Sequence, residues 1–201
     1  MKVTVFTCTY NSPELLLRAM RSVPRHPDVE YIVVNDGSTD DTADVIENFR
    51  QWEYPELIVY THDTNRGLGA AKNTVYDHAT GDYLFELDHA DYLYPDRFIS
   101  ILPELDGTDF IYVDIEVNDG RIWKLNEESK NTLVAGHTHF IRREFIGDTR
   151  TRTDIPTEDW FFNLDLIKKN PSIKFTHRVI HHYNFPREGS MLWNLNNPEK
   201  Q

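Results

Sequence analysis

The chain has 201 residues, 39% hydrophobic and 27% charged, with a formal net charge of −12. Length and composition fit one soluble domain with a sizeable core. The acidic balance repels nucleic-acid backbones and anionic membranes, so neither is an expected partner, although a few positioned donors can still hold a small anion.

Val3 to Cys8 reads as a short buried strand. Ser12-Pro13-Glu14 then starts a helix: a polar cap, a proline in the first turn and an early acid. Leu15, Leu16, Ala19, Met20 and Val23 form its apolar stripe. Tyr31 to Val34 is the second strand. Ser38 and Asp41 match a loose capping pattern before a second helix, with Ala43, Ile46 and Phe49 facing inward. Leu57 to Tyr60 is a third strand, Leu68 to Tyr76 a third helix followed by Gly81, and Tyr83 to Leu87 a fourth strand. Strands separated by helices of this length predict right-handed crossovers and a mainly parallel sheet.

Farther on, Phe110 to Val117 and Arg121 to Leu125 flank the turn Asn118-Asp119-Gly120, which predicts an antiparallel hairpin. Pro156 opens a helix through Trp160, Phe161, Leu164 and Ile167, with Lys168 and Lys169 at its end and Pro171 stopping it. Ile173 to Ile180 is a last strand. The residues from Pro186 onward carry little pattern. With no repeat or linker, one domain over 1–201 is expected. It comprises a nucleotide-binding half (1–93), an acceptor-binding half (94–185) and a tail (186–201).

Cys8 is the single cysteine, so an internal disulfide is excluded, and within an apolar run it reads as a core residue. No apolar stretch approaches the roughly 20 residues that span a bilayer. No signal-peptide pattern precedes the first strand, so a cytoplasmic location is expected.

In open parallel sheets, ligands bind beyond the carboxyl ends of the strands. That rule alone selects Thr9-Tyr10-Asn11, Asn35-Asp36-Gly37-Ser38, Asn65-Arg66-Gly67 and Asp88-His89-Ala90-Asp91. The first strand lacks a following G-x-G-x-x-G, and no P-loop, H-E-x-x-H, G-x-S-x-G or zinc-binding cysteine cluster is present.

Five segments remain in order: VFTCTYNSPELL, VVNDGSTDDT, NRGLGAAKNT, GDYLFELDHADYLYPD and TEDWFFNLDL. Together they resemble glycosyltransferase family 2 from about Val3 to about Ser190. The resemblance implies the GT-A fold, an α/β architecture. Its mainly parallel central sheet is flanked by helices and gains antiparallel additions in the second half. The implied reaction is inverting transfer from a nucleotide diphosphate sugar, with a UDP-sugar expected, to a hydroxyl acceptor such as a saccharide. A nucleotidyltransferase of similar architecture is disfavoured, because those place a glycine-rich basic loop after the first strand, where this chain has Thr9 to Pro13.

The resemblance also implies roles. Thr9, Tyr10 and Asn11 match the first turn, where the aromatic packs on the base. Asp36 matches the acid that accepts a hydrogen bond from the base, although alone Asp36-Gly37-Ser38 reads as a turn. Arg66, Gly67 and Lys72 match the segment beside the nucleotide, with Lys72 standing where arginine is more usual. Asp88 and His89 belong to the donor site. Ala90 occupies the middle acid of the family's Asp-x-Asp pattern. A hard divalent cation, Mn2+ or Mg2+, needs oxygen ligands that alanine lacks. Asp91 is therefore the expected metal ligand, with His182 or His181 completing the shell. These two adjacent strand residues point to opposite faces, so at most one serves. Glu158-Asp159-Trp160 matches the family's acidic pair at a helix start. Asp159 is the expected general base, with Glu158 and Trp160 on the acceptor side; alone, the pair would suit the helix dipole. His137 is a candidate acceptor contact, and Arg187 near Ser190 a candidate diphosphate clamp. The alternative to an enzyme is a degenerate GT-A nucleotide-binding module, motivated by Ala90.

Overall fold

A computed structural model describes residues 1–126, 138–155 and 158–185. Its strands are β1 (Val3–Thr9), β2 (Val29–Asn35), β3 (Ile58–Thr61), β4 (Tyr83–Glu86), β5 (Tyr92–Leu93), β6 (Phe110–Val117), β7 (Ile122–Trp123), β8 (His139–Arg142) and β9 (Ile173–Tyr183). The helices are α1 (Pro13–Ser22), α2 (Thr42–Trp52), α3 (Leu68–His78), α4 (Pro95–Ile101), α5 (Arg143–Ile146) and α6 (Glu158–Ile167).

Among the described residues these strands form one sheet in the order β3-β2-β1-β4-β8-β6-β9-β5, with β7 paired to β6. β1 lies between β2 and β4, parallel to both, and β3 is parallel to β2. β8 joins the two halves by pairing antiparallel with both β4 and β6. The arrangement is the mixed α/β sheet of the GT-A fold.

Both β1 and β2 are buried along their whole length. Helices cover both faces, so apolar residues alternate between two cores rather than between core and water. Val3, Val5, Tyr31 and Val33 join one core with Leu16, Met20, Ile46, Phe49 and Phe98, from α1, α2 and α4. Phe6, Cys8, Ile32 and Val34 join the other with Ala71, Val75, Phe162 and Leu166, from α3 and α6. Tyr76 of α3 stacks on Phe162 of α6, centroids 4.9 Å apart, which ties the first half of the chain to the helix bearing Asp159.

Local differences from the sequence reading have physical causes. Ser38 and Asp41 do not form a capping pair: α2 starts at Thr42, and Ser38 Oγ instead accepts the Asn11 N–H at 3.0 Å. Thr42 therefore faces inward, where its Oγ1 accepts the Ser12 N–H, and Ala43 is exposed. β9 runs three residues beyond Ile180 because β6 and β5 pair with it on both sides. α6 buries Glu158, Phe162, Asn163 and Leu166, while Trp160 is exposed. Asn170 follows it with φ 59°, a left-handed stop one residue before Pro171. β5 and β8 carry no local strand signal, being short strands whose partners are distant in sequence. The hairpin is present, with β7 reduced to Ile122–Trp123. Pro156 lies outside the described residues. No described helix is long and apolar enough to cross a membrane.

Candidate active site

The strand ends of β1, β2 and β4 converge on a cavity of about 250 Å³. Cys8, Thr9 and Tyr10 come from β1 and its turn, Asp36 from the end of β2, and Asn65, Gly67, Leu68 and Ala71 from the α3 entry. Glu86, Asp88 and His89 close it from β4. Three of the four turns selected from the sequence thus supply neighbouring walls, and the fourth, Asn65 to Gly67, completes them.

Two features of these walls point to a ligand. The Thr9 hydroxyl is buried and makes no hydrogen bond, an uncommon condition for a polar atom. Tyr10 is 41% exposed at the rim of the cavity, and its ring is a flat apolar surface. Asn11 adopts φ 49° and turns its side chain away: Oδ1 accepts the Thr39 N–H at 2.8 Å.

Asp36 is buried and organises the opposite wall. Its Oδ1 accepts the Arg66 N–H at 3.0 Å, and its Oδ2 accepts the Gly67 N–H at 2.8 Å. His62 Nδ1 lies 2.6 Å from Oδ1, and its Nε2 lies 2.9 Å from Thr74 Oγ1 on α3. One carboxylate therefore fixes the loop that enters α3. Gly37, at φ +70°, lets this turn touch the loop: a Cβ there would stand 2.3 Å from the Thr64 carbonyl carbon. Gly67 has φ +89° with open space where a Cβ would project. The Arg66 side chain is exposed, and its backbone is what meets Asp36.

Lys72 does not line the cavity. It is 2% exposed, with Nζ 2.9 Å from Glu86 Oε1 and 3.3 Å from Glu158 Oε1. Burial opposes its charge, but Glu86, Asp159 and Glu158 outweigh that and hold the ammonium well above its ordinary range. Burial pushes the Glu158 carboxyl up to about 7, with Asp159 adding to the rise and Lys72 opposing it. Burial also pushes the Cys8 thiol up, so it is an inert wall rather than a nucleophile. Asp159 is half-buried in the first turn of α6, and Trp160 beside it is 39% exposed.

The turn after β4 is held from several sides. Asp88 Oδ1 accepts the Ala90 N–H at 3.0 Å and lies 3.2 Å from His89 Nδ1. Arg18 of α1 donates to the Ala90 carbonyl and stacks over Tyr92, 5.1 Å from its centroid. Asp91 is buried and accepts the Asn184 N–H at 2.9 Å. His182 stacks on Tyr92 at 4.6 Å, whereas His181 packs edge-on against Phe85 in a hydrophobic core. The two histidines do face apart. Among the described residues, no group of three or more His, Cys, Asp or Glu side chains is placed to hold a metal ion. The donors named for a divalent cation therefore do not fit one as they stand. The reason is topological: the β5–β9 pairing uses His182 for stacking and turns His181 into the core. His137 and Arg187 lie outside the described residues.

Sequence reasoning missed four contributors. Glu86 is hidden inside the fourth strand, and only its charge at a strand end marks it. His62 follows β3 as an isolated histidine. Thr151 and Asn73 clamp a strap onto α3 through Thr151 Oγ1 to the Gly69 carbonyl at 2.6 Å and Asn73 Nδ2 to the Thr151 carbonyl at 2.9 Å.

The family model described as Glycosyl transferase family 2 matches residues 4–169. This chain belongs to glycosyltransferase family 2. Among similar proteins, the putative teichuronic acid biosynthesis glycosyltransferase TuaG of Bacillus subtilis is 28% identical over 188 residues, covering 83% of this chain and 72% of that one. An uncharacterised glycosyltransferase of Nostoc is 32% identical over 133 residues, and the match spans 64% of this chain but 41% of the relative. Among solved structures, Staphylococcus aureus TarS 1–349 in complex with UDP-GlcNAc aligns with TM-score 0.80 at 21% identity, over 94% of this chain and 60% of that one. The mannosyltransferase PcManGT of Pyrobaculum calidifontis, in complex with GDP-Man and Mn2+, aligns with TM-score 0.73 at 19% identity, over 98% and 60%. These structural likenesses establish the shared fold.

Proposed function

We propose that the chain transfers a sugar from a UDP-sugar to an acceptor hydroxyl with inversion, using Asp159 as general base. The observation that carries this is the cavity at the ends of β1, β2 and β4, with its unpartnered Thr9 hydroxyl and open Tyr10 ring. Tyr10 stacks on the base, which is worth about 1–3 kcal/mol. Asp36 Oδ2 accepts one protein hydrogen bond and has capacity for another, which suits the N3–H of uracil. Glycine at 67 lets the diphosphate approach the backbone, and Arg66 and Arg187 offset its charge.

In the chemical step Asp159 takes the proton from the acceptor hydroxyl. The oxygen attacks the anomeric carbon opposite the leaving group, the carbon–oxygen bond to the diphosphate breaks, and UDP departs. Trp160, exposed beside Asp159, offers the acceptor an aromatic surface. Residues 1–93 thus serve the donor and 94–185 the acceptor within one catalytic unit. Turnover of Asp159→Asn tests the base. A fall of about 10²-fold or more is expected, and wild-type turnover would refute the assignment.

A second reading, nucleotide binding without transfer, is favoured by Ala90 together with the lack of a three-donor cluster among the described residues. Calorimetry with UDP, with and without Mn2+, alongside an acceptor panel separates the two. Metal-independent binding with no turnover on any acceptor supports the binding module.

A further inference from the structure

The inward face of α3 carries an anomaly. Ala71 and Val75 are apolar and fully buried, as a helix packed on a sheet requires. Lys72 is buried to the same degree, yet carries an ammonium. Burying a charge costs more than burying a methyl-bearing chain of similar volume, and replacing buried ion pairs by apolar residues is often neutral or stabilising. Packing alone therefore does not account for a lysine here.

Its two partners come from different parts of the site. Glu86 ends β4 and lines the donor cavity. Glu158 opens α6 immediately before Asp159 and is itself only 4% exposed. One ammonium thus bridges the floor of the donor cavity to the first turn of the helix that presents the base. The ring contact joining the same helices, Tyr76 to Phe162, lies one turn deeper, and Arg152 packs over Phe161 on the outer side, so Lys72 is the cation that reaches the first turn of α6 from α3.

We propose that Lys72 is a positioning residue for Asp159, acting through Glu158, and not a contact to the nucleotide. The ammonium holds the Glu158 carboxylate against Glu86, which sets the direction in which the first turn of α6 presents the Asp159 carboxylate. The inference rests on the reading of Asp159 as general base.

The test is a double-mutant cycle on the full chain, with UDP affinity measured by calorimetry beside transfer kinetics. Assays run about one pH unit above 7, so that Glu158 is ionised. Lys72→Met should lower kcat by about 30-fold, within the range general-base catalysis supplies, with the Kd for UDP changed less than about twofold. Lys72→Arg keeps the charge and should recover most of that loss. In the Asp159→Asn background, Lys72→Met should cost nothing further, because a positioning residue has no effect once its target is gone. Glu158→Gln, isosteric and foldable even if Lys72→Met is not, should reproduce the kcat loss with unchanged UDP affinity.

Weakened UDP binding with unchanged kcat in Lys72→Met would overturn the proposal and return Lys72 to the diphosphate. So would a full additional loss in the double variant, or an unaffected kcat in Glu158→Gln. Failure of the underlying reading looks different: Asp159→Asn itself would keep wild-type turnover, whatever Lys72 does.

Discussion

Gly69→Ala sets two effects of known size against each other. Gly69 lies in the first turn of α3, where alanine is intrinsically better by about 1 kcal/mol. Against this, a Cβ at residue 69 would stand 2.2 Å from the Arg152 carbonyl oxygen and 3.1 Å from its carbonyl carbon. Ordinary contact begins near 3.4 Å, so the backbone strap must retreat by 3.4 − 2.2 = 1.2 Å. Neither partner is a flexible side-chain tip. The retreat breaks the Thr151 Oγ1 to Gly69 bond and the Asn73 to Thr151 pair, at 2.6, 2.9 and 2.8 Å. Three hydrogen bonds at about 1 kcal/mol each outweigh the helix gain, leaving about 2 kcal/mol of destabilisation. For a chain of this size that is a fall in Tm of about 4–8 °C, read by circular dichroism during thermal unfolding. Arg152 of the strap packs over Phe161 of α6, 4.2 Å from its centroid, so under the proposed function transfer should fall as well. A Tm equal to or above wild type would show that helix propensity prevails and that the strap is not clamped as described.

Thr9→Val removes the unpartnered buried hydroxyl at nearly constant volume; if it meets the ligand, the Kd for UDP by calorimetry should rise about fivefold, whereas unchanged affinity with raised Tm would mean the hydroxyl serves nothing. Tyr10→Ala should weaken UDP binding by about 1–3 kcal/mol while leaving the melting temperature near wild type, since the ring is at the surface. Glu158 has a folded value of about 7 against an ordinary 4.5. Its protonated form is thus the one favoured by folding, and its stabilising contribution is fully present below about 4.5 and lost as pH rises through about 7. The swing is at most about 3 kcal/mol, so urea unfolding should show stability declining over that interval, and Glu158→Gln should flatten the slope. His62→Ala should loosen the 65–67 loop through Asp36, seen as faster amide exchange at Arg66 and Gly67; exchange as slow as wild type would exclude that role.

The β-α alternation of the first half was legible because its signals are local. Buried strands of seven residues, a proline and an acid at the α1 start, and the polar turns after each strand all lie within a few positions of one another. The rule that ligands meet the carboxyl ends of parallel strands then selected Thr9, Tyr10, Asp36, Gly67, Asp88 and His89, all of which line one cavity. The second half was less legible because its signals are not local. β5 is two residues long and exists only because His181 and His182, about ninety positions later, pair with it. α2 lost its expected cap because Ser38 was recruited by Asn11, 27 residues away.

The sequence by itself thus determined the fold class, the family and the strand ends that line the cavity, since hydrophobic period and turn chemistry act over short separations. Tertiary structure alone decided what each charge does there. In one dimension Lys72 matches a segment beside the nucleotide, Glu86 carries no signal beyond its charge, and Asp36 reads as a turn former. Only when α3, β4 and α6 are packed together does the low-dielectric interior force Lys72 onto Glu86 and Glu158, and Asp36 onto the 66–67 amides and His62. A buried charge must find a partner, and which partner is within reach is a property of the packing.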